Sequence, residues 1–233
     1  MISRNIEIYK YTNNKKNKVM DHVVVEYKLK IFLNDTILVE RICLKNEMDK
    51  MVVGYFISEG YINSWNDILE MDFKDYNENE GECRCKIEKK QFDIHKTLSE
   101  IKICGNTVLE LMKEFTNKSN LFKKTGGVHS CGLAKKDKIV YFTDDVGRQN
   151  ALDKMIGHLA KEESDLNEVV VLFSGRITSE VVEKMKLKNI KGIITKAAVT
   201  WNGRVKGIEK NLIIIGFARG ERFNIYNGED KII

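Results

Sequence analysis

The chain has 233 residues, Lys+Arg 39 against Asp+Glu 34, a formal net charge of +5 and 42% hydrophobic residues. This composition suits a globular protein and excludes a disordered or histone-like one. No apolar run nears the roughly 20 residues of a membrane span. Met1–Lys10 lacks a signal-peptide core, so the expectation is a cytoplasmic protein with no membrane and no nucleic-acid partner. Mild basicity still leaves room for a local anion-binding patch. Five cysteines point to free thiols rather than a disulfide framework. With no proline, glycine must mark the turns.

In chain order, residues 23–33 are β-rich, Asn34-Asp35 is a turn, and 36–43 return as the second strand of a hairpin. Asn46 reads as a helix N-cap. Met51, Val52, Tyr55 and Phe56 form that helix's apolar stripe, and Gly60 stops it. Residues 74–82 are polar and end in a solvated hairpin tip, with strands around Cys85, Ile87 and Phe92. These elements predict a small α+β domain over residues 1–100, with a boundary near Ile94–Cys104.

The rest has another rhythm. Helices are expected over 105–115, 150–159, 180–187 and 202–209. Strands are expected over 128–133, 139–142, 169–173, 192–195, 212–217 and 223–226. Alternating strands and helices predict an α/β domain over 101–233, with a mainly parallel sheet between helices.

In this second domain an apolar strand repeatedly ends in a turn that pairs glycine with arginine. The turns are Gly147-Arg148, Gly175-Arg176 and Ala218-Arg219-Gly220-Glu221-Arg222. In an open α/β sheet, ligands bind outside the carboxyl ends of the strands. Helix N-termini and arginine forks hold phosphate there, so Arg148, Arg176, Arg219 and Arg222 are candidates for one anion-binding rim. Gly126-Gly127-Val128-His129 is glycine-rich, but no helix follows it directly. Neither GxxxxGK[ST] nor GxGxxG occurs. Among the cysteines, Cys43 reads as a buried apolar residue. Cys83-x-Cys85 supplies too few ligands for zinc. Cys104 sits before an amphipathic helix with Lys102 nearby, a placement that favours a thiolate nucleophile. On a strand, Cys131 shares a face with His129 and is the second candidate thiol.

At these residues the sequence resembles the FdhD family of sulfur carrier proteins needed to mature formate dehydrogenases. The resemblance runs through GYFISEG at 54–60, Cys104-Gly105, TGGVH at 125–129 and DDVGRQNALDK at 144–154. It continues through SGRIT at 174–178, GFARG at 216–220 and FNIY at 223–226. It implies a cytidine-deaminase-like second domain without the deaminase zinc signature, and no intrinsic metal. The family's cofactor-binding stretch maps onto Phe217, Ala218, Arg219, Gly220, Glu221 and Arg222. With Arg148, Arg176, Gly126, Gly127 and His129, these are the expected binding residues. Three departures stand out. Ile101 occupies the first position of the family's Cys-x-x-Cys-Gly, Gln149 replaces a usual histidine, and Val199 stands where proline is expected.

The resemblance implies a sulfurtransferase-like carrier with a persulfide on Cys104. It would take sulfur from a cysteine desulfurase and pass it to a molybdenum or tungsten bis(molybdopterin guanine dinucleotide), bound as substrate through its guanine nucleotide moiety and destined for formate dehydrogenase. The rival reading is a non-catalytic chaperone of that cofactor. A homodimer is expected only because two-fold symmetry is the commonest closed arrangement.

Overall fold

The computed structural model describes residues 1–88, 101–162, 168–185, 187 and 190–233. It begins with an antiparallel ribbon of β1 (Ser3–Thr12) and β2 (Lys15–Val24). The ribbon is not among the expected elements. It leaves most side chains exposed on both faces, so burial imposes little contrast on its sequence.

β3 (Tyr27–Leu33) and β4 (Thr36–Cys43) form the expected hairpin, and the first strand starts at Tyr27 rather than Val23. Asn34 and Asp35 both take positive φ, 46° and 66°, the backbone that a two-residue hairpin turn requires. With β5 (Ile68–Asn77) and β6 (Glu80–Ile87) they make a sheet in the order β4-β3-β6-β5. Between hairpin and β5 lies α1 (Met48–Glu59), ended by Gly60 at φ 85°. Its N-cap is Glu47, not Asn46. The Asn46 side chain instead accepts from Lys154 Nζ at 2.9 Å, a tertiary contact that wins over local capping.

The second sheet has six strands in the order β12-β11-β10-β9-β7-β8. They are β7 (His129–Lys135), β8 (Lys138–Asp145), β9 (Val169–Phe173), β10 (Ile190–Thr195), β11 (Ile213–Arg219) and β12 (Arg222–Asn227). β9, β10 and β11 are parallel, and the flanking pairs are antiparallel. Strand alternation divides the sheet between two cores. Val170, Leu172, Ile194, Ile213 and Ile215 cluster with Val108, Leu111, Met112 and Phe115 of α2 (Gly105–Lys118). Val169, Val171, Phe173 and Ile193 face α4 (Arg148–Lys161) and α5 (Ser179–Lys184). α6 (Trp201–Glu209) packs on that side too, with Gly207 against Ile214. The short α3 (Asn120–Thr125) links α2 to β7. The domain is α/β with helices on both faces. The helix expected over 180–187 ends at Lys184, and residues 186, 188 and 189 lie outside the described part of the chain.

The expected boundary and the strand around Phe92 fall on residues 89–100, also outside the described residues. Across that line the two units share one core, which runs from Tyr27, Leu29 and Phe56 to Leu152 and Met155. α1 and α4 cross backbone to backbone. A Cβ at Gly54 would stand 1.7 Å from Asp153 O, and one at Gly157 2.0 Å from Lys50 O.

Buried polar contacts seal the junction. Lys154 and Asp145, both fully buried, pair at 2.7 Å. Asp145 also accepts from Leu44 N at 3.1 Å and Asn150 Nδ2 at 2.8 Å. Asn150 Nδ2 reaches Ile42 O at 2.7 Å. Asp153 takes Lys184 Nζ at 2.6 Å and Ser58 Oγ at 3.1 Å. Much of the motif at 144–154 is therefore a structural clamp, since buried charges persist only when paired and hydrogen-bonded.

Candidate functional site

Strand direction gathers the predicted turns. β8 is antiparallel to β7, and β7 to β9, so β8 and β9 point the same way. The carboxyl ends of β8, β9, β10 and β11 and the amino end of β7 therefore share one edge. At about 4.8 Å per strand, β8 to β11 spans roughly 19 Å. Along it lie Arg148 after β8, Arg176 after β9, and Arg219 and Arg222 facing each other across the β11–β12 turn. Arg176, Arg219 and Arg222 are exposed, while Arg148 is half-buried.

Arg148 is the first residue of α4 and lies against the β9 turn, its Cδ 3.5 Å from where a Gly175 Cβ would stand. Its Nε is buried and has no hydrogen-bond partner among the described residues, and neither Nε2 nor Oε1 of Gln149 has one. Buried donors without partners are costly unless a ligand supplies one.

Beside Arg148 opens a cavity of about 440 Å³, lined by Phe122, Gly126, Gly127, His129, Ser174 and Lys196, among others. Three predicted residues, Gly126, Gly127 and His129, thus come together in one pocket. Gly126 has φ 63° and ends α3. His129 Nδ1 lies 3.3 Å from Ser174 Oγ, which accepts from Ser130 N at 2.9 Å. Burial lowers the His129 pKa, and the positive charges of Arg148 and Lys196 lower it further. Burial and these cations therefore both disfavour the protonated ring. Asp144 is occupied beneath it, accepting from Ser119 and Ser130 hydroxyls at 2.6 Å each.

The stretch 217–222 forms the far end of the edge. Phe217 has φ 52°, rare for a bulky residue and a form of backbone strain that collects at binding sites. Its N–H bonds Ala197 O at 2.9 Å. Ala218 is buried and Glu221 exposed, and Gly220 turns the chain at φ 62°. Sequence reasoning passed over β10, whose end carries no glycine–arginine pair, and so missed Lys196. The signal available was position alone, a cation directly after a buried strand.

Cys104 lies elsewhere. It is the N-cap of α2, and its backbone is locked by Gly105 N bonding Ile233 O at 2.8 Å. It lines a second cavity, about 420 Å³, with Lys102, Thr107, Ala134, Lys136 and Val170. Ala134 and Val170 mark the carboxyl end of β7 and the amino end of β9, so this is the opposite edge of the sheet. α2 spans 14 residues, about 21 Å, from Cys104 to the pocket lined by Gly126, Gly127 and His129. The structure does not bring Cys104 and the arginines together.

Cys104 is the one exposed cysteine of the five. Cys131 does share a face of β7 with His129, but it is wholly buried and its thiol pKa is pushed far up by burial. It cannot serve as an accessible second thiol. Burial raises Cys43 to about 12. The contact with Cys85, Sγ to Sγ at 3.5 Å, together with burial, raises Cys83. Among the described residues, no three His, Cys, Asp or Glu side chains are grouped as a metal site, and no helix is long and apolar enough to cross a membrane.

Comparison with known proteins gives one answer. The model of the FdhD/NarQ family matches residues 24–99 and 79–233. The chain is 30% identical to the sulfur carrier protein FdhD of Bacillus subtilis, over 97% of this chain and 96% of that one. It is 32% identical to the FdhD of Bacillus pumilus, over 97% and 95%. A solved structure from Desulfotalea psychrophila, described as a formate dehydrogenase accessory protein, superposes with a TM-score of 0.86 over all of both chains at 22% identity. That likeness bears out the fold, and the sequence matches identify the chain as a member of the FdhD/NarQ family.

Proposed function

We propose that this chain is a sulfur carrier in formate dehydrogenase maturation, loaded with sulfane sulfur on Cys104 and holding the phosphates of a bis(molybdopterin guanine dinucleotide) cofactor, as substrate, along the arginine edge. The observation that carries the loading half is exposure. Cys104 is the one cysteine a partner can reach, at a helix N-terminus beside a cavity. The Cys104 thiolate attacks the outer sulfur of a desulfurase persulfide. One S–S bond forms as the donor's S–S bond breaks, and the donor leaves as a thiolate. No external oxidant is needed. Release of that sulfur at the sulfide level takes two electrons. With Ile101 in place of a paired cysteine and Cys131 buried, the second thiol comes from outside the chain.

The holding half rests on Arg148, Arg176, Arg219 and Arg222, with Lys196 and His129 between them. They suit the charge of a guanine dinucleotide, and the edge is long enough for one. The desulfurase and the cofactor would then engage opposite edges, and the dehydrogenase would receive the cofactor from the arginine edge in the cytoplasm. That separation of roughly 20 Å favours the second reading, a cofactor chaperone without sulfur transfer. Complementation of formate dehydrogenase activity in cells separates the two. The carrier reading expects Cys104→Ser to abolish activity while the purified variant still binds GDP. Full activity with Cys104→Ser leaves only the chaperone.

A further inference from the structure

One aromatic side chain on the arginine edge stands largely in solvent. Trp201 is 72% exposed, although a tryptophan ordinarily buries most of its large surface. It opens α6, directly after the loop of residues 196–200 that follows β10. That loop is tied to both neighbouring arginine turns. Ile177 N bonds Ala198 O at 3.0 Å, Thr200 N bonds Ile177 O at 2.9 Å, and Phe217 N bonds Ala197 O at 2.9 Å. Thr195 Oγ1 donates to Gly175 O at 2.6 Å. Trp201 therefore stands between the turn of Arg176 and the strand end of Arg219.

The base beneath it is rigid. Thr200 caps α6 by accepting from Gly203 N at 3.1 Å. Arg204 Nε is anchored on Tyr226 O at 3.0 Å, and its guanidinium lies 5.9 Å from the Trp201 ring centroid. An indole braced by a fixed cation, with most of its surface in water, is preorganised to stack on a flat ring.

We propose that Trp201 is the stacking platform for the planar heterocycle of a purine nucleotide whose phosphates lie on the arginines of the same edge. This rests on the anion-edge reading above and adds to it the residue that reads the base. The arginines alone would bind any polyanion, whereas a stacking face demands a ring.

The test uses GDP and inorganic pyrophosphate, titrated by calorimetry against the full chain and against Trp201→Ala and Trp201→Phe. Base–aromatic stacking of ordinary strength predicts that Trp201→Ala weakens GDP about five- to 150-fold. Pyrophosphate binding should change less than about twofold, and Trp201→Phe should keep most of the GDP affinity. In a Trp65→Phe background, where Trp201 is the remaining indole of the two, GDP should quench fluorescence and pyrophosphate should not. Unchanged GDP affinity in Trp201→Ala, with wild-type binding intact, overturns the platform and leaves the arginine edge standing. An equal loss of GDP and pyrophosphate also overturns it, since the residue would then only support the edge. Failure of the wild-type chain to bind either ligand removes both readings.

Discussion

Replacing Gly54 with alanine tests whether the crossing of α1 and α4 sets the position of the arginine edge. Two effects oppose each other. In a helix, alanine is favoured over glycine by about 1 kcal/mol. Here the new Cβ would stand 1.7 Å from Asp153 O and 2.9 Å from Gly157 N. Ordinary contact begins near 3.4 Å, so the helices must part by more than an ångström. Overpacking of this kind costs about 1–3 kcal/mol and at times more. Because backbone atoms are what the Cβ meets, the upper end applies, and the net loss is about 2 kcal/mol. In a chain of this size each kcal/mol moves the melting temperature by about 2–4 °C, giving a fall of about 4–8 °C. Gly157→Ala should act likewise, its Cβ meeting Lys50 O at 2.0 Å. Gly105→Ala is the control, with Phe223 Cζ nearest at an ordinary 3.6 Å. It should stay within about 0.5 kcal/mol of wild type. Since α4 begins with Arg148, GDP affinity should fall with the melting temperature in Gly54→Ala. Circular-dichroism melts and a GDP titration read both. A Gly54→Ala protein as stable as wild type, or more so, refutes the crossing argument.

Three further outcomes are expected. A water-soluble thiol reagent should label one site in the native protein and five in denaturant, with Cys104→Ser reducing the native count to none, as intact-mass analysis would show. Arg148→Ala and Arg176→Ala should each weaken GDP about tenfold to a hundredfold, the value of a charge-assisted bond. Lysine should restore only part of it, and a titration with wild-type affinity would remove that arginine from the edge. His129 has a folded-state pKa below its unfolded value near 6.5, so the native state binds fewer protons. Its stabilising contribution is therefore complete above about pH 6.5 and lost as pH falls through the folded value. The melting temperature should drop between pH 7.5 and 5.5 by less in His129→Gln than in wild type.

What the amino-acid sequence determined by itself is what neighbouring residues decide among themselves. The turn at Asn34-Asp35, the stop at Gly60 and the buried strand 169–173 follow from backbone preference and local apolar pattern. The shared edge of the glycine–arginine turns was legible too, because strand–helix alternation leaves few ways to arrange such a sheet. Tertiary structure decided the rest. Asn46 looks like a cap in isolation but is taken by Lys154 from 108 residues away. Cys131 and Cys104 look alike as thiols, yet one lies under the sheet's core and the other in solvent. The roughly 20 Å between Cys104 and the pocket of Gly126, Gly127 and His129 is set by the length and direction of α2, and the Trp201 platform by loops tied across three strands. Such positions depend on groups distant in sequence meeting in space, and no local pattern records which of them will meet.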